Sequence, residues 1–219
     1  MLKKKNKSKF VGSLDKVPLN VSYLADSANF KLGLDKINLM WNKEIQHIHI
    51  GDNISLEEGK YYDNYLMTTS YSKEIQKLQK KQLEKLISIY QEKEGYPNSL
   101  IEIGCGDGSF LKHAINNISK LVGVEPSVRF SAPAKKKGYK IINGYVNSSY
   151  KITKDRFDCF VSRQVFEHLP DPLDVFLGIK SILNPGAVGL IEVPNGYKAI
   201  QKKRFYEFFP DHLNYYSVV

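Results

Sequence analysis

Nine residues constrain this chain most: Ile101-Glu-Ile-Gly-Cys-Gly-Asp-Gly-Ser109. An apolar run ends in three glycines at alternate positions, and a helical pattern follows. Such a turn brings backbone close to a ligand and aims N–H groups at polar or anionic atoms. From residue 99 onward, strand and helix patterns alternate. Leu100–Ile103, Leu121–Val124, Tyr139–Ile142, Phe157–Val161 and Val188–Val193 read as five strands. A helix is expected from Ser109, with Phe110, Leu111, Ala114 and Ile115 on one face. Another is expected from Asp171 to Asn184-Pro-Gly186, with Leu173, Phe176, Leu177 and Leu183 apolar. Pro133 predicts a short or bent helix between the second and third strands. This alternation predicts an α/β fold with a doubly wound, Rossmann-like parallel sheet.

The first half is different. Residues 1–9 form a basic tail. Residues 10–65 read as a small irregular module, in which Ile45–Ile50 alternates like a strand and Gly51-Asp52 turns. Residues 66–97 are a linker helix, read over Ser70–Tyr90 with a stripe of Ile75, Leu78, Leu83, Leu86 and Tyr90. Residues 98–219 are the ligand-binding domain. The net charge of +9 comes chiefly from Lys, with Arg only at positions 129, 156, 163 and 204. Readers of bases and phosphates favour Arg forks, so no nucleic-acid partner is expected. No run of apolar residues reaches membrane-spanning length, so no membrane partner is expected. The two Cys, Cys105 and Cys159, cannot build a disulfide framework, and a cytoplasmic location is expected.

Twenty-one residues after Gly104 stands Glu125, at the end of the second strand. That spacing suits a carboxylate accepting hydrogen bonds from both ribose hydroxyls of a nucleoside. The glycines at 104, 106 and 108 depart from the Gly-x-Gly-x-x-Gly spacing of dinucleotide sites, which disfavours a nicotinamide oxidoreductase.

An acidic residue followed by Gly-x-Gly-x-Gly, with a second-strand acid, resembles the class I S-adenosylmethionine-dependent methyltransferases. The resemblance implies S-adenosylmethionine as cofactor, with Glu102, Gly104, Cys105, Gly106 and Gly108 around its methionine end and Glu125 on its ribose. At Cys105 only the backbone need matter. Four further segments resemble the sugar C-methyltransferases: Arg163–Pro172, Leu190–Asn195, Tyr61–Ser72 and Phe209–Ser217. These imply methyl transfer to a ring carbon beside the keto group of a nucleotide-activated deoxysugar. By the same resemblance Gln164 joins the cofactor residues. His212 is the first choice for the base, with Asp211 beside it; His168 is the second, and Tyr65 donates a hydrogen bond to substrate.

Three departures from the family pattern accompany the resemblance. The family opens with a four-Cys zinc module, but residues 17–60 contain no Cys, so no metal is expected there. His47 and His49 cannot close a structural site alone and are expected to face solvent. In the last segment Phe209 stands for the family's Tyr and Asp211 for its Glu. Finally, the chain reads as lacking the strands that follow the fifth. Strand five is then an uncovered edge, the aromatic residues of 204–219 are exposed, and self-association with weak catalysis is expected. Two alternatives stay open: a non-catalytic remnant that binds S-adenosylmethionine, and a small-molecule O- or N-methyltransferase.

Overall fold

The computed structural model describes residues 8–18, 34–43, 47–51, 72–204 and 207–217. The chain divides into two compact units. One contains Met1–Glu58, Phe166–Pro170 and Val193–Val219; the other contains Gly59–Val165 and Asp171–Glu192.

The second unit is built on a parallel sheet. Its strands are β4 (Ser99–Ile103), β5 (Lys120–Val124), β6 (Lys140–Ile142), β7 (Phe157–Arg163) and β8 (Leu183–Glu192). They lie in the order β6-β5-β4-β7-β8, and every pairing is parallel. Order and direction are those of the doubly wound fold expected from the alternation of strand and helix. β4 is buried along its whole length, which suits an apolar run with no polar-out alternation.

Helix α1 (Lys73–Glu94) opens at Ser72, whose hydroxyl accepts from Ile75 N at 3.2 Å. It ends at Gly95, with φ +84°, where Gly95-Tyr-Pro-Asn98 is expected to break the chain. Leu83, Leu86, Ile87 and Tyr90 face the core with Leu100, Phe110, Leu111, Cys159 and Val161. Leu78, expected in that stripe, is exposed, and Gln79 is fully buried instead. The Gln79 amide oxygen faces His113 Nε2 at 3.2 Å, so a polar pair occupies the position that periodicity assigned to an apolar side chain.

The other helices are short. α2 spans Leu111–Ala114 only, and Ile115 is exposed rather than core. α3 (Val128–Lys136) contains Pro133 and is nine residues long, as the proline implied. α4 (Pro172–Ser181) starts at the Asp171 cap, but Leu173, Phe176 and Leu177 point outward, and Gly178 and Ile179 make its buried face. Asn184-Pro-Gly186 does not end this helix. It lies inside β8, beside the register shift between Phe157 and Cys159.

Asp158 fastens β7 to the start of β4. Its Oδ2 accepts from Asn98 N (2.9 Å), Ser99 N (3.1 Å) and Ser99 Oγ (2.9 Å), and its Oδ1 accepts from Asn184 Nδ2 (2.8 Å). Burial alone would raise this carboxyl, but the donations from Asn184, Asn98 and Ser99 outweigh it and hold it below the usual carboxylate range. Its contribution to stability is therefore present above the ordinary Asp pKa and is lost as pH falls through the depressed folded value. Asp158→Ala leaves buried donors unpaired and is expected to cost about 1.5–3 kcal/mol in urea unfolding at neutral pH. An unchanged midpoint would show that the network is not stabilising.

The first unit is not irregular as expected. β1 (Ser8–Pro18), β2 (Leu34–Asn42), β3 (His47–Gly51) and the short β9 (Asn214–Tyr215) form an antiparallel sheet in that order. Gly51, expected in a turn, belongs to β3, and Ser8 and Lys9 belong to β1 rather than to a frayed tail. Among the described residues of the aromatic tail, Phe208 and Tyr215 are buried rather than part of an exposed patch. Phe208 and Tyr215 bury together with Ala199 beside Leu14, Leu39, Ile48 and Ile50. Helix α5 (Gly196–Gln201) adds Ala199 to that cluster. The tail has its own apolar partner in the N-terminal sheet, which periodicity could not reveal.

Candidate active site

In the second unit, the β4–α2 turn hangs from the end of β5. Gly104 N and Cys105 N both donate to Val124 O, at 2.8 and 3.1 Å. Gly104 has φ +74°, and a Cβ there would run into the Val165 side chain. Gly106 has φ +49°, and its Cβ would lie 2.7 Å from the Phe130 ring. Both positions require glycine on two counts, backbone conformation and space.

Glu125 is buried, and its carboxylate spans the turn. Oε2 accepts from Gly106 N at 3.1 Å and Oε1 accepts from Ser127 N at 3.0 Å. Burial raises its pKa, and the two backbone donations oppose that rise. Each oxygen keeps acceptor capacity for a further donor, such as a ribose hydroxyl. Asn143 Nδ2 donates to Glu125 O at 2.8 Å and to Ser131 Oγ at 3.0 Å, which fixes the chain around this acid.

Glu102, on β4, is buried, and burial pushes its carboxyl well above the usual range against the pull of Arg163. Its Oε2 has no hydrogen-bond partner among the described residues. A buried acceptor without a donor fits a ligand carrying a cationic amino group. The residues therefore fit S-adenosylmethionine: a glycine turn, a ribose-type acid and an unsatisfied buried carboxylate lie in one unit. The Cys105 side chain is buried, and burial pushes its thiol up, which disfavours the nucleophilic thiolate.

Gln164 sits at φ +54°, with N donating to Glu192 O at 2.8 Å and Nε2 donating to Glu192 Oε1 at 3.2 Å. The structure thus ties Gln164 to the end of β8. Glu192 also receives Arg163 Nη2 at 3.1 Å and a short donation from Gln82. Burial alone would raise its carboxyl; Gln82, Arg163 and Gln164 hold it below the usual range. Residue-by-residue reading missed this network. Its one visible signal was a lone charge ending an apolar strand.

The first unit carries a second constellation, on a 3-10 turn (Phe166–His168) and the segment before β9. His168 and Asp211 are buried. His168 Nδ1 donates to Asp211 O at 2.9 Å, with Asp211 Oδ2 at 3.5 Å. That bond puts the neutral ring's proton on Nδ1 and its lone pair on Nε2. The His212 ring stands edge-on to His168, with centroids 4.9 Å apart, and Phe209 flanks it at 5.0 Å. Burial lowers the His168 pKa, against the opposing effect of Asp211. Burial and the neighbouring His168 lower His212 to about 4. Both rings are neutral at pH 7 and able to accept a proton. Glu167, His168 and His212 also offer donor atoms that all lie within 4.8 Å of one another, a carboxylate and two imidazoles that could take a divalent cation. Tyr65 lies outside the described residues.

His47 and His49 are half-buried rather than solvent-facing, because β9 pairs with β3 beside them. His49 Nε2 lies 3.0 Å from Ser8 Oγ, and His47 Nε2 lies 3.0 Å from Asn214 Oδ1.

Residues 71–218 match the family model described as "Methyltransferase domain". The chain belongs to this methyltransferase family. Together with the sheet order, this places the chain by family and fold among the class I S-adenosylmethionine-dependent methyltransferases. The chain is 24% identical over 142 residues to the C-methyltransferase NovU of Streptomyces niveus, a match covering 62% of this chain and 34% of that protein. The chain thus spans about a third of that relative's length. Among solved structures it resembles the plantazolicin methyltransferase BpumL in complex with a pentazolic desmethylPZN analog and SAH. That likeness has a TM-score of 0.52 at 17% identity, covering 69% of this chain and 58% of that one. It also resembles CalS10, an amino pentose methyltransferase from Micromonospora echinaspora. There the TM-score is 0.50 at 15% identity, covering 59% of this chain and 58% of that one. These two likenesses concern the fold.

Proposed function

We propose that this protein transfers a methyl group from S-adenosylmethionine to a ring carbon beside the keto group of a nucleotide-activated deoxysugar. The observation that carries the reading is the pair of neutral, touching imidazoles, His168 and His212, with Asp211 against one of them. O-methylation of an acidic hydroxyl needs little base, whereas a carbon nucleophile requires removal of a proton alpha to a carbonyl. The match to NovU, named a C-methyltransferase, supports the same choice.

S-adenosylmethionine, when bound, would supply an electrophilic methyl on its sulfonium, whose C–S electron pair would stay with sulfur to give S-adenosylhomocysteine. His212 takes the alpha proton of the substrate, and the electron pair left on carbon forms the new C–C bond. His168, its Nδ1 proton held by Asp211, fixes the His212 ring from the side and is the second candidate for the base. Glu125 accepts from the ribose hydroxyls. The Gly104–Gly108 turn and Glu102 receive the methionine end. Gln164 takes its place beside the cofactor through Glu192, and by the resemblance Tyr65 donates a hydrogen bond to the substrate.

Proton removal can be read apart from methyl transfer. In deuterated buffer with S-adenosylhomocysteine in place of the methyl donor, the protein should exchange the alpha hydrogen of a keto-deoxysugar nucleotide, followed by proton NMR. With S-adenosylmethionine carrying a labelled methyl, the label should appear on carbon. Label on a hydroxyl oxygen, with no alpha exchange, would overturn the assignment.

A further inference from the structure

The Phe166–His168 turn is a single turn of 3-10 helix, a geometry with poor internal hydrogen bonds and little stability of its own. The closure at its end, Leu169 N to Phe166 O, is long at 3.4 Å. The turn is also held from outside, by the side chain of Asn214. Asn214 Nδ2 donates to Leu169 O at 2.7 Å and reaches Phe166 O at 3.4 Å. These two carbonyls bracket Glu167 and His168. The Tyr216 hydroxyl donates to the same Phe166 O at 3.0 Å.

Donor and acceptor accounting fixes the rest. Carbonyl oxygens only accept, so the two contacts orient the Asn214 amide with its NH2 toward the turn. Oδ1 then faces the other way, where His47 Nε2 lies at 3.0 Å. An amide oxygen also only accepts, so the His47 ring carries its proton on Nε2. Asn214 is buried, and these three partners use both of its amide protons and its oxygen. A continuous series of bonds runs from His47 on β3, through Asn214 on β9, to the peptides flanking His168. From there His168 Nδ1 reaches Asp211 O.

We propose that Asn214 is a positioning residue for His168 and His212, and that His47 sets the orientation of Asn214. The N-terminal sheet supports the site through a histidine–amide hydrogen bond. The proposal rests on the reading of the imidazole pair as the proton acceptor. A misplacement of about 1 Å at a reacting group can cost about 10²-fold in rate, which sets the scale of the expected effect.

The test uses the full chain and three substitutions. Asn214→Asp keeps the shape but turns acceptor oxygens toward two carbonyls. His47→Ala removes the donor to Oδ1. His47→Gln places an N–H donor where Nε2 stood. Asn214→Asp and His47→Ala should lower kcat about 10- to 100-fold, with KM and S-adenosylhomocysteine affinity unchanged, and His47→Gln should restore kcat. In 15N-histidine-labelled protein, the imidazole resonances of His168 and His212 should shift in Asn214→Asp and His47→Ala and return in His47→Gln. The resonances report positioning without turnover. Shifted resonances in a protein with no methyl transfer would sink the base reading and leave the positioning standing. Unmoved resonances, or a loss in His47→Ala that His47→Gln does not restore, overturn the proposal. A fall in thermal stability with unmoved resonances and unchanged kcat reduces Asn214 to a structural residue and also overturns it.

Discussion

His212→Ala is expected to lower methyl transfer about 10²–10⁴-fold, the usual worth of general-base catalysis. The ring is neutral because burial and the adjacent His168 lower its pKa to about 4. It therefore needs no deprotonation before it acts. The same substitution should leave S-adenosylhomocysteine affinity unchanged, since Glu102, the glycine turn and Glu125 belong to the other unit. Phe209 and Tyr215 also touch the ring, at 5.0 and 6.5 Å between centroids, so part of any loss could be structural. His212→Gln separates the two effects: it fills the space and bonds as an amide but cannot accept the proton. A glutamine variant as active as the unsubstituted protein would exclude His212 as the base and move the role to His168.

Glu125→Ala is expected to weaken S-adenosylhomocysteine binding by about 1.5–3 kcal/mol, the range for hydrogen bonds to a charged group, or about 10- to 150-fold. The carboxylate has two duties. It accepts from Gly106 N and Ser127 N, and it offers its remaining lone pairs to a ligand. Glu125→Gln should not rescue, because an amide NH2 must then face one of the two backbone N–H groups. Calorimetric titration checks both variants. Affinity unchanged in a folded Glu125→Ala protein would remove this residue from the cofactor site.

The parallel sheet was legible because its strands are apolar runs separated by glycine turns and amphipathic helices. Gly104, Gly106 and Glu125 were legible because their chemistry is local: two positive-φ glycines and an acid at a strand end. Long-range polar pairing was not. Gln79 is buried because His113 reaches it from another helix, and no periodicity encodes that contact. The strand of Ile45–Ile50 was legible as β3, but β1 and β2 were not, because their residues alternate weakly and β1 carries register shifts at Phe10–Gly12 and Leu14–Val17. The tail was misjudged for a related reason. An aromatic-rich segment looks exposed until a partner is known, and the partner of Phe208 and Tyr215 comes from residues 14–50. The Asn214 bridge could not be read at all, since its partners His47, Phe166 and Leu169 all lie far from it in the sequence.

The central claim is that the Gly104–Gly108 turn and Glu125 bind S-adenosylmethionine rather than a dinucleotide. Titration calorimetry of the full chain with S-adenosylhomocysteine, NAD and NADP, in parallel with Glu125→Ala, tests it most directly. Saturable binding of S-adenosylhomocysteine alone, weakened in the variant, is the predicted result. Binding of NAD or NADP in preference, or S-adenosylhomocysteine binding that ignores Glu125, would contradict the account.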